Sequence, residues 1–282
     1  MAVSPSSSAR AARVAVATRL RDLMLDARID GKELSARCGW HPSKTSRILS
    51  GKSAPSEDDI RSWCTACGSD GQVADLIADS RAVELMYQEW RRLHRNGMRQ
   101  VQEESLAQYT GTAMCRAYVS NVVPGFLQTE AYATALMRSI TDFQGTPDDV
   151  AEAVAARLER GRLLHRGNHR FVVLVEEAVL RYRIGDPETM AGQLGYLLAV
   201  MPLPSVSLGI IPVSARRRIW PLEAFYLFDD QEASVETLTA EINVVQPREL
   251  ADYHRAFAEL TKMAVHGASA RSLITSAIAA LS

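Results

Sequence analysis

The sequence has no apolar run approaching the roughly 18 residues that a membrane-spanning helix needs. The longest candidates are Phe171–Val175 and the proline-broken stretch Leu194–Pro204, so no membrane partner is expected. Cysteine is scarce: Cys38, Cys64, Cys67 and Cys115 are the only four among 282 residues. That is too few for a disulfide framework in a chain this long, and reduced thiols in the cytoplasm are the expectation. Charge of one sign is not in excess. Lys plus Arg is 32 and Asp plus Glu is 33, a net of −1, which excludes a chain-wide polyelectrolyte. Glycine (16) and proline (11) are too sparse for a collagen-like or low-complexity chain. No phosphate-binding loop, no Gly-x-Gly-x-x-Gly and no Gly-x-Ser-x-Gly occurs. No nucleophile–base set is legible either, so the sequence predicts a non-enzyme without cofactor or metal. The first 20 residues lack acids and are rich in Ser and Arg, as transit peptides are. They have no apolar stretch of the kind a secretory signal carries.

The charge that is present is unevenly placed. Residues 1–52 hold ten basic and four acidic side chains, and residues 53–80 hold one and six. The remainder holds 21 and 23. A short basic segment on an otherwise neutral chain can meet a polyanion without making the whole surface adhesive. Composition alone favours a solvated helix with no partner.

Helical spacing of Val14, Ala17, Leu20, Leu23 and Met24 predicts an amphipathic helix over Val14–Ala27. Asp30 with Glu33 reads as a capping box opening a helix to Cys38, which Gly39 ends. Pro42 suits the first position of the next helix, which runs to about Ser50 and stops at Gly51. Ser56-Glu57-Asp58-Asp59 starts another that reaches Cys67, and residues 71–95 read as one or two more. Five short helices therefore fit residues 1–80, with a tight glycine turn between the second and third: the helix-turn-helix arrangement. Residues 81–99 read as a connecting helix. Residues 100–282 read as an α+β domain with a small, mainly antiparallel sheet. Its strands are Ala113–Val119, Phe171–Val175, Ser205–Val213, Ala224–Phe228 and Ser234–Leu238. Its helices are Thr129–Ile140, Asp148–Leu164, Pro187–Met201, Pro247–Val265 and Ala270–Leu281. The fold class expected is mainly α.

A helix fits the DNA major groove, where side chains near its N-terminus reach base edges. In His41–Ser50, the residues Thr45, Ile48 and Leu49 share one face and are expected to anchor the helix. Ser43, Lys44, Ser46 and Arg47 project elsewhere. Arg47 suits a bidentate contact with guanine, Ser43 can take several bases, and Lys44 suits guanine or a phosphate. Lys52, just past the helix, and Lys32, at the N-terminus of the preceding one, suit phosphates. The expected partners are double-stranded DNA and a second copy of the chain, with half-sites roughly 34 Å apart.

The run from Leu20 to Gly68, above all GWHPSKTSRILSGK, resembles the phage-repressor-like (XRE-type) helix-turn-helix regulators of actinobacteria over about residues 14–80. It departs from them at Gly31, where glutamine is frequent, at Pro42, where a polar residue is, and at Leu49, where glutamate is. The rest is similar to the C-terminal domain of the same regulators. Val123–Thr129 with Tyr132, Arg157-Leu-Glu-Arg160, Met190 with Gln193-Leu194, and Val235-Glu236 carry that similarity. The resemblance implies a nucleoid-associated, antitoxin-like transcriptional regulator whose activity a small protein encoded next door modifies. The rival readings are an interaction module that mainly holds such a protein, and a hydrolase-like site in the α+β domain.

Several features have duller readings. Cys64 and Cys67 have redox or half-zinc spacing but no second pair, so core packing is expected. His165 and His169 are separated by the helix-breaking Gly167-Asn168. Glu176-Glu177 and Asp229-Asp230 are adjacent acids that do not converge as paired catalysis requires. Pro124-Gly125 is expected to be a turn with glycine at positive φ. Arg216-Arg217-Arg218, with Trp220, reads as a solvated loop, and Trp40 as packing across the turn.

Overall fold

In the computed structural model, residues 5–77, 80 and 87–281 are described. The chain divides into two compact units, Met1–Gln88 and Glu89–Ser282.

The first unit is a cluster of helices: α1 (Pro5–Asp26), α2 (Gly31–Cys38), α3 (Pro42–Leu49) and α4 (Glu57–Ala66), followed by a helical turn at 73–77, α5. α1 begins earlier than its apolar spacing suggests. Its buried face is Val16, Ala17, Leu20, Leu23 and Met24, while Val14 stays 42% exposed. Leu34 of α2, Ile48 of α3 and Ile60, Trp63 and Cys64 of α4 complete the core. Each fully buried aliphatic side chain contributes about 1.5–3 kcal/mol, so this face holds the unit together.

Residues 81–86 of the expected connecting helix over 81–99 lie outside the described residues. Within the rest of that stretch the helix is interrupted. Tyr87–Glu89 is a short strand, β1, Trp90–Leu93 is a single helical turn, α6, and Arg99 already opens the next helix.

The second unit is built on a sheet of order β1-β7-β6-β5-β2-β3-β4. Its strands after β1 are β2 (Met114–Val119), β3 (Arg170–Glu176), β4 (Val206–Ile211), β5 (Phe225–Phe228), β6 (Glu232–Glu236) and β7 (Ala240–Val244). The sheet is larger than the small antiparallel one expected, and it is mixed. β2–β3 and β3–β4 run parallel, whereas β2–β5, β5–β6 and β6–β7 run antiparallel. Parallel neighbours need long crossovers, usually helical. Here α8 (Glu130–Gln144) and α9 (Val150–Gly161) lie between β2 and β3, and α10 (Pro187–Val200) lies between β3 and β4. The parallel strands are buried on both faces, which explains the unbroken apolar run Phe171–Val175.

α7 (Arg99–Gly111), α11 (Pro247–Thr261) and α12 (Gly267–Ala279) complete the unit. Tyr109, Phe126, Phe171, Tyr226 and Phe228 pack on one sheet face with α10 and α12. On the other, Phe225 meets Tyr118, Tyr253 and Phe257.

Candidate nucleic-acid interface

α2, its turn and α3 are fixed by local chemistry. The Asp30 carboxylate accepts the backbone N–H groups of Lys32 and Glu33 at 2.9 and 2.8 Å, which caps α2. The reciprocal half of the expected capping box is absent, because the Glu33 carboxylate pairs with Arg37 at 2.6 Å. Gly39 closes α2 at φ 72°, a left-handed conformation cheap only for glycine. His41 caps α3: its Nδ1 accepts the N–H of Ser43 at 3.2 Å and lies 2.9 Å from Ser43 Oγ. That role was not legible in the sequence, since histidine is not among the residues usually found at a helix N-cap. Gly51 then reverses the chain at φ 66°, with Val14 packed against it.

The back of α3 is fastened at three points. Thr45 and Ile48 are each 2% exposed. Trp40 Nε1 donates to Thr45 Oγ1 at 2.8 Å, and Ser35 Oγ lies 2.7 Å from the same oxygen. Trp40 also leans on Trp63 at 6.2 Å, so it packs across the turn as expected. Arg21 of α1 donates to the carbonyl of Leu49 at 2.9 Å, holding the far end of α3. A helix so fastened loses little further freedom on binding, which is what precise recognition requires.

The six residues proposed from sequence do not behave alike. Ser43, Ser46 and Arg47 are exposed on α3, and Lys52 is exposed just beyond it. Lys32 is exposed at the N-terminus of α2, but the amides expected to help it there are not free: Asp30 already accepts those of Lys32 and Glu33. Lys44 differs. Its Nζ is 2.6 Å from Asp59 Oδ1 and 4.6 Å from the centre of the Trp40 ring. Asp59 is 8% exposed, and its other oxygen accepts the N–H of Ser56. A nearly buried carboxylate holds its cation firmly, so Lys44 braces α3 against α4.

The neighbouring cysteines serve the core. Cys64 and Cys67 are buried, and burial pushes the Cys67 thiol up to about 11. Among the described residues no three His, Cys, Asp or Glu come together as a metal site.

In the second unit the adjacent acids are dispersed. Glu176 is held by Tyr118 and Arg217, whereas Glu177 accepts from Arg181 and Val213. Asp229 caps the N–H groups of Ala113 and Met114. Gly125 is not at positive φ as expected. Space does not demand glycine there either: a Cβ would meet Arg157 and Arg160 at 3.6–3.7 Å, an ordinary contact. Those arginines donate to Gln102, and Arg157 also to Gln128. The basic loop is not simply solvated either: Arg217 and Arg218 are paired with Glu176 and Glu259.

Comparison with known proteins agrees with this division. A helix-turn-helix domain model matches residues 15–77, and the model of a domain of unknown function, DUF5753, matches residues 109–276. No curated protein matches. A solved structure of TrmBL2, an archaeal chromatin protein with a novel mode of DNA binding, aligns over 85% of this chain and 88% of its own. At 12% identity and a TM-score of 0.31 that likeness carries no argument about fold or function. With a family match spanning more than half of its length, joined to the fastened helix pair described above, the chain belongs to the DUF5753 family and carries a helix-turn-helix domain ahead of that domain.

Proposed function

We propose that the protein is a sequence-specific DNA-binding transcriptional regulator that lays α3 in the major groove. The observation that carries this reading is the contrast between the two sides of α3. Thr45 and Ile48 are locked into the unit, while Ser43, Ser46 and Arg47 are exposed together on the helix. Arg47 reads guanine by a bidentate contact, with Ser43 and Ser46 beside it. Lys52 and Lys32 hold the flanking phosphates through their side chains. Regulators of this design bind as two-fold dimers, with half-sites about one helical turn apart. The second unit is then the regulatory part, pairing two chains and receiving a signal, and it performs no catalysis.

Selection of duplexes from a random pool by the full chain tests the reading. The expected result is enrichment of an inverted repeat with half-site centres about 10 base pairs, or a multiple, apart. Retention of duplexes without any enriched sequence would contradict it.

A further inference from the structure

Residues 212–224 join β4 to β5 without regular structure. A connection this long in a compact unit needs something specific to hold it, and here polar groups do. Val213 N–H donates to Glu177 Oε2 at 3.0 Å, and Leu222 N–H to Tyr118 Oη at 3.3 Å. Arg217 grips Glu176 with both terminal nitrogens, at 2.7 and 2.6 Å. Glu176 is 5% exposed and accepts the Tyr118 hydroxyl at 2.9 Å. On the facing side, Glu259 of α11 takes Arg218 Nε at 2.7 Å and Lys262 Nζ at 2.5 Å.

Between these pairs lies an open groove of about 710 Å³, lined by Arg216, Arg217, Arg218, Lys262 and Glu259. Four cations stand against two carboxylates, Glu176 and Glu259, so a positive excess remains. Arg216 has no ion pair among the described residues. The pairs that exist use only part of the donor set, since a guanidinium has five N–H groups. Met263 and Val265 add an apolar wall. The volume lies within the range of small-molecule sites, which combine an apolar lining with a few placed polar groups.

We propose that this groove binds a small organic anion, a carboxylate or phosphate group carried on a short apolar body. Glu176 and Glu259 are positioning residues that aim Arg217, Arg218 and Lys262. The net positive lining disfavours a neutral ligand. The inference does not depend on DNA binding by the first unit.

Isothermal titration of the full chain with octyl phosphate, octanoate and uncharged octyl glucoside tests it. Saturable binding of at least one anion, and none of the glucoside, is expected. The preferred anion tells phosphate from carboxylate. The pair Arg216→Ala with Lys262→Ala should weaken that binding roughly tenfold or more, because charge-assisted hydrogen bonds are lost. Both side chains are exposed, and Glu259 keeps Arg218, so the melting temperature should hold. Arg216→Glu alone gives a second reading on an exposed position. No saturable binding of either anion, equal binding of the glucoside, or unchanged binding in both variants would overturn the proposal. So would variants that lower only the salt dependence of DNA binding while neither anion binds, which would make the loop a DNA contact.

Discussion

Arg47 and Lys44 lie three positions apart on one short helix, yet their surroundings give them different work. Arg47 is exposed, whereas Lys44 is drawn onto Asp59 and over Trp40. Spacing placed both cations on the outer side of α3, but it did not reveal Asp59, fifteen residues on, as the acceptor of one of them. Lys44→Ala is therefore expected to lower stability by roughly 1 kcal/mol, since a nearly buried carboxylate loses its cation while Lys44 itself is partly solvent-screened. Urea denaturation measures the loss, and base preference should not change. If base preference shifts with stability intact, Lys44 is a reader after all. The same scale governs the thiols. Burial raises Cys67 to about 11, so little thiolate exists near neutral pH. A thiol-reactive disulfide reagent at pH 8 should modify Cys67 slowly in the native protein and quickly in urea. Fast native labelling would refute the core reading.

At the scale of elements, much was legible because the signals are local. Gly39 at a left-handed position, Pro42 at a first turn and Ser56 ahead of three acids all sit where the chain places them. α4 carries a full capping box, with Ser56 Oγ accepting Asp59 N–H and Asp59 accepting Ser56 N–H. Ser56→Ala should cost about 1 kcal/mol, read as a shift in the denaturation midpoint, and an unchanged midpoint would argue against the box. Elements held from a distance were not legible. α7 has little apolar periodicity, and its first amides are accepted by the Asp149 carboxylate, some fifty residues on. β7 is a five-residue strand defined by its pairing with β6. The candidate interface was legible for exposed residues, because exposure follows from helical phase. It was not legible for Lys44 or His41, whose roles depend on side-chain partners.

At the scale of the molecule, the two units have separate cores, and the mixed sheet follows from pairing order that no local pattern encodes. The sheet carries a testable electrostatic feature. Glu241 on β7 is half-buried, its carboxyl is raised to about 7 mainly by desolvation, and Ser234 donates to it. A carboxyl whose pKa is raised on folding favours the folded state at low pH, and that contribution is lost as pH rises through about 7. Glu241→Gln should therefore stabilise the protein at pH 8 and change little at pH 5, measured by thermal unfolding at both values. Equal effects at both pH values would show that Glu241 is ionised throughout.

The claim on which the rest depends is that α3 presents Arg47 to a base while its back is locked in place. The most direct measurement is the affinity of wild-type and Arg47→Ala proteins for the selected operator and for single-base variants of it, at fixed salt. The account predicts a loss of about 1–3 kcal/mol on the operator and indifference at one guanine position. Wild-type affinity with unchanged preference at every position would contradict it.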